Sequence, residues 1–200
     1  MPSLYEEKTM QEMTIRNLMR PTEDFPRIPI QATFSEAMEA LRRAQEAFLE
    51  GRQKQRILLV EDPNGVVLGK LSPMDLVRGL EPRYDKIDSI QEQIQYGVPH
   101  LFQSMKDDFR LWHEPLADMC RKAREINIET FLNKPDPDHT VAIDDELDKA
   151  FHLFVTTRHD SLYVMDGERI IGLLRFSDVY KAICEVATSC ALDDSPALTS

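Results

Sequence analysis

Gly69-Lys70-Leu71-Ser72-Pro73-Met74-Asp75 reads as a strand running directly into a helix, with Ser at the cap, Pro at the first helical position and an acid at the third. A second version, Gly172-Leu173-Leu174-Arg175-Phe176-Ser177-Asp178, follows 103 positions later. Upstream the echo continues. Val60 matches Val164 at an offset of 104, and Phe34, Ala37, Met38 and Leu41 match Leu147, Ala150, Phe151 and Phe154 at 113. Ile15-Arg16-Asn17-Leu18-Met19 matches Ile128-Glu129-Thr130-Phe131-Leu132, also at 113, and a proline follows each, Pro21 and Pro135. The fall in offset places a longer helix and loop in the first copy, near Phe48 to Gln55.

The matched helical residues fall at i, i+3, i+4 and i+7, so both copies are expected to bury the same stripe. Each then shows two β-rich runs around a turn. These are Ile57 to Val60 and Val66 to Leu71 about Asp62-Pro63-Asn64-Gly65, then Ser161 to Met165 and Arg169 to Leu174 about Asp166-Gly167. Gly and Asn supply the positive φ that tight hairpins need. Amphipathic stretches follow, Ser72 to Leu80 and Phe176 to Ala187. The unit reads β-α-β-β-α, twice, an α/β (α+β) chain with small antiparallel or mixed sheets.

The first repeat spans 13–80 and the second 127–188. Residues 81–126 between them form an insertion too long for an ordinary loop, and 189–200 a frayed tail. In the insertion Val98, Leu101, Phe102, Met105, Phe109 and Trp112 keep to one helical face, and Leu116, Met119, Ala123 and Ile126 suggest another helix. That face covers a core or forms a dimer or partner-docking surface. Arg110, Arg121, Lys122 and Arg124 are its solvated side.

The 200 residues carry 24 Lys and Arg against 35 Asp and Glu, a net charge of −11, which argues against nucleic-acid duplexes and anionic membranes as partners. The longest apolar runs, such as Ile57 to Val60, fall far short of the roughly 20 residues that cross a bilayer. The N-terminus has early acids and no apolar signal core, so a cytoplasmic location is expected. Cys120, Cys184 and Cys190 have no CxxC spacing and read as buried or incidental thiols.

The repeated unit resembles the cystathionine-β-synthase (CBS) domain, and the pair resembles a Bateman module, in which two such domains pack with pseudo-two-fold symmetry. The resemblance rests on the Ile-x-x-Leu-Met of residues 15–19, the Phe-Ser-Glu-Ala helix start at 34–37, the strand-turn-strand, and Gly69 to Asp75. It implies that Gly69, Ser72 and Asp75, with Gly172, Arg175 and Asp178, bind an adenosine-containing ligand: AMP, ADP, ATP or S-adenosylmethionine. Ser72 and the helix start would meet a phosphate, Asp75 and Asp178 the ribose diol. The residues suit those tasks. Helix N-termini favour anions, a carboxylate can accept from two neighbouring hydroxyls, and glycine permits close approach. Equally, Ser72 and Asp75 form a helix cap without any ligand, and the two roles can coexist.

The second copy puts Arg175 where Ser or Thr is expected. Arg175 could fork onto a phosphate, sit in solvent or pair with an acid such as Asp145, leaving Ser177 as the cap. His139, His152 and His159 show no metal-ligand spacing and read as surface or cap histidines. No nucleophile elbow, P-loop or dinucleotide fingerprint is present, so no catalytic set is offered. The expectation is a non-enzymatic, self-associating ligand sensor, a homodimer acting on a separate effector protein. The rival is a structural pair with empty or degenerate clefts that uses the insertion for dimer or partner contacts.

Overall fold

The structure, a computed structural model, describes residues 13–80, 123–132 and 134–193, with side chains through Thr188. The insertion expected at 81–126 therefore lies outside the described residues up to position 122, Phe102, Met105, Phe109, Trp112 and Cys120 included, as does the tail beyond Asp193. The chain opens with a one-turn helix α1 (Ile15–Leu18), a short strand β1 (Arg20–Pro21) and a 3-10 turn at Thr22–Asp24. The first repeat continues as β2 (Arg27–Pro29), α2 (Phe34–Leu49), β3 (Leu58–Glu61), β4 (Val67–Leu71) and α3 (Pro73–Leu80). Its counterpart has 3-10 turns at Ile128–Thr130 and Pro137–His139, then β5 (Thr140–Ala142), α4 (Leu147–Thr157), β6 (Ser161–Asp166), β7 (Arg169–Arg175) and α5 (Phe176–Asp193).

The duplication holds to the level of single hydrogen bonds. β2 runs parallel to β3 with Ile28 opposite Val60, and β5 parallel to β6 with Val141 opposite Val164. Both hairpins are antiparallel and slip register at the same place, after Val60 and after Val164. Just past each parallel pair, Ile30 N–H donates to Glu61 O and Ile143 N–H to Met165 O, each at 2.9 Å. In the first hairpin Asp62 Oδ1 accepts from the N–H groups of Asn64 and Val66, and Gly65 takes φ 79°. In the second, Gly167 takes φ 59°. α2 has 16 residues and α4 has 11, so the extra length expected near Phe48 is there.

α2 starts where a capping box stops the strand-like chain. Thr33 Oγ1 accepts from Glu36 N–H, and the Glu36 carboxylate accepts from Thr33 N–H. Its buried face is Phe34, Ala37, Leu41, Ala44 and Ala47. Met38 is 54% exposed, contrary to the expected stripe, because the face advances by three or four residues and Met38 lies a further 100° around from Ala37. In α4, Ala150 and Phe154 are buried and Phe151 is half-buried.

Two compact units divide the chain at Asp24/Phe25 and at Lys134/Pro135, so they do not follow the repeats. The leaders are exchanged. Ile15 is fully buried in a core with Val141, Ala150, Phe154, Leu162, Val164 and Leu174 of the second repeat. Ile128 is fully buried with Ile28, Phe34, Leu41, Val60 and Leu71 of the first. Each isoleucine contributes about 2–3 kcal/mol by leaving water. Backbone pairing fixes the exchange. Phe34 N–H donates to Ile126 O at 2.9 Å and Ile128 N–H to Ala32 O at 3.0 Å, while β1 joins the other sheet in the order β1-β7-β6-β5.

His139 is buried, not the surface or cap histidine expected. Its Nε2 donates to Ser161 O at 2.9 Å, its ring stacks on His159 at 3.6 Å, and its edge meets Tyr163. A backbone carbonyl partner and aromatic faces make burial of the ring acceptable. Cys184 is exposed rather than buried. No helix among the described residues is long and apolar enough to cross a membrane, and no group of three metal-ligating side chains forms among them.

Candidate functional site

β4 buries Val67, Gly69 and Leu71 on one face and delivers the chain to α3. The sharp transition follows from Ser72-Pro73, since the proline fixes φ for the first helical turn and lacks the N–H that would be unpaired there. Asp75 Oδ2 accepts from both the N–H and the hydroxyl of Ser72, each at 2.7 Å, and Ser72 Oγ accepts from Asp75 N–H at 3.4 Å. Ser72 and Asp75 thus cap α3 between them. Among the described residues Asp75 Oδ1 accepts no hydrogen bond, and the side chain is half-buried.

The second motif is occupied from within. Arg175 reaches Asp178 with Nε on Oδ2 at 2.6 Å and Nη2 on Oδ1 at 2.8 Å. Arg20, from β1, reaches the same carboxylate with Nε on Oδ2 at 3.2 Å and Nη2 on Oδ1 at 2.8 Å. Asp178 is 10% exposed. Burial works to raise its pKa, but the bonds and charges of Arg175 and Arg20 outweigh it and hold the carboxyl at about 2. The same pairing, offset by burial, raises Arg20. Arg175 therefore does not pair with Asp145, whose oxygen accepts from Lys149 Nζ at 2.6 Å. Ser177 does not cap the helix, because α5 begins at Phe176 and places Ser177 inside the first turn.

Gly172 lies where β1 crosses β7, with Pro21 opposite it and Arg20 opposite Leu173. A Cβ at Gly172 would stand 2.5 Å from Arg20 O. Arg20 was not singled out by the sequence, and no local pattern marks it. It becomes visible only when the leader is paired with a strand some 150 residues away. A groove of about 450 Å³ over the C-terminal half of α2, lined by Arg27, Arg43, Ala44 and Arg52 among others, shares no residue with either motif. Its arginines are already paired with Glu61, Glu39 and Glu50.

Residues 129–185 match the CBS domain family, which takes in the second motif and its hairpin. The same bulged β-β-α arrangement recurs in the first repeat. The chain folds as a pair of CBS domains. CBSX2 in complex with AMP superimposes with a TM-score of 0.52 at 18% identity, covering 87% of this chain and 98% of that one. The CBS-domain protein ATU1752 of Agrobacterium tumefaciens gives 0.50 at 14% identity, covering 84% and 92%. No curated protein sequence matches this CBS pair. Within the pair, the first motif keeps Ser72 and Asp75 together and the second brings Arg175 and Asp178 together around Arg20.

Proposed function

We propose that this CBS pair is a regulatory module that binds an adenosine-containing ligand, AMP, ADP, ATP or S-adenosylmethionine, through its first motif. The observation that carries the reading is Asp75 Oδ1, which accepts no hydrogen bond among the described residues and is held beside a helix start by the Ser72 cap. A ribose offers two adjacent hydroxyls, and the half-buried carboxylate can accept from them through Oδ1 while Oδ2 still accepts from Ser72 N–H. Gly69, buried in β4, leaves the approach to the strand unobstructed by a side chain. The α3 N-terminus and the Ser72 hydroxyl, turned from Asp75, would meet a phosphate. That CBSX2, of the same fold, binds AMP supports the choice of ligand class.

The module would act on a separate effector protein and as a homodimer. Exposed Phe176, Tyr180 and Ile183, which follow at four- and three-residue spacing along one face of α5, support self-association. A ligand changes such an assembly only by favouring one of its arrangements over another. The rival, a structural pair without ligand, is favoured by the internally paired Asp178.

Thermal unfolding with a panel of AMP, ADP, ATP and S-adenosylmethionine tests the reading. A compound at about 100 times its Kd adds ~2.7 kcal/mol, on the order of 5–10 °C in Tm. Asp75→Ala is expected to abolish the shift while remaining folded. No shift with any of the four compounds overturns the reading and leaves the structural rival.

A further inference from the structure

We propose that the second motif is a clasp for the leader strand rather than a ligand site, so that the chain takes a single nucleotide, at the first motif. Three residues that the fold aligns with the first motif all serve β1 here. Gly172 gives the leader room, since any Cβ would meet Arg20 O at 2.5 Å. Arg175 and Arg20 close on Asp178 from two elements, one at the end of β7 and one in β1. Each carboxylate oxygen accepts two charged donors, which fills the roughly four lone-pair positions a carboxylate has.

A sugar hydroxyl reaching Asp178 must displace a guanidinium. It would replace a charged, forked donor with a neutral one of about half the strength. Asp75 imposes no such exchange among the described residues, where its Oδ1 accepts no hydrogen bond. The two motifs have therefore diverged in task, one toward ligand and one toward holding residues 19–21 on the second sheet. The stoichiometry rests on the nucleotide reading above; the clasp does not.

Calorimetric titration of the full chain with AMP, alongside hydrogen exchange without AMP, separates the two. One AMP per chain is expected, with affinity kept to within about twofold in Asp178→Asn and Arg20→Ala. Without AMP, the amides of residue 20 and Leu173, which face each other across β1 and β7, should exchange about tenfold faster in those variants than in the wild type. Two AMP per chain, or loss of AMP binding in either folded variant, overturns the single-site assignment. Unchanged exchange overturns the clasp. If the wild type binds no AMP the nucleotide reading fails and the exchange measurement alone decides the clasp. Arg20→Ala keeps the Arg175–Asp178 pair, so it serves if Asp178→Asn does not fold.

Discussion

Asp178→Asn removes the negative charge that the Arg175 and Arg20 guanidiniums share, and its cost can be worked from the carboxyl itself. Held at about 2 against an ordinary 3.8, the group gains roughly 1.8 pKa units, or ~2.4 kcal/mol at 1.36 kcal/mol per unit, net of the burial that opposes it. Arg20 is 42% exposed, so water screens part of the pairing and the loss should fall below the ~3–5 kcal/mol of a fully buried pair. We expect about 2 kcal/mol at pH 7. The sign of the pH dependence follows from the direction of the shift. A carboxyl whose folded pKa is depressed stabilises fully above its unfolded value, and the contribution drains as pH falls from about 4 to about 2. Urea unfolding followed by far-UV circular dichroism, wild type against Asp178→Asn, should give a difference of ~2 kcal/mol at pH 7 that shrinks to about 0.7 kcal/mol at pH 2.5. A difference under ~0.5 kcal/mol at pH 7, or one that does not change with pH, would refute the reasoning.

Gly79→Ala places a Cβ 2.7 Å from the Phe131 ring, so the variant should lose about 1–3 kcal/mol in denaturant unfolding through forced repacking of α3. Ser72→Ala deletes the hydroxyl that caps α3 and should cost about 1 kcal/mol without ligand, measurable by the same method; no loss would mean the Ser72–Asp75 bonds do not hold the helix start.

Most of the fold could be read from spacing because the repeat supplied its own control. Val60 and Val164 were matched by sequence and prove to be the two sites of register slip, and the turn glycines Gly65 and Gly167 have the positive φ their positions imply. Periodicity identifies an apolar face but not the core that accepts it. Ile15 and Ile128 were correctly aligned with each other, yet nothing in a five-residue leader says that it packs on the other repeat. The same gap hid the candidate clasp. Arg175 and Asp178 are one helical turn apart and their pairing was within reach of local reasoning, whereas Arg20 is 158 residues from Asp178 and meets it only through strand exchange. Met38 was misplaced because four apolar residues fit two neighbouring arcs of one helix, and the alanines at 44 and 47 choose between them.

The traded leaders bear on how such a protein can be divided or built up. A fragment cut at the boundaries of the sequence repeat would keep Ile15 with no core to enter and leave its own core open where Ile128 belongs. Two unlinked copies of one repeat could complete each other only by swapping ends between molecules. Fusing them in one polypeptide turns that encounter into an intramolecular one. Duplication therefore does more here than double a binding surface: it makes each half the finishing piece of the other.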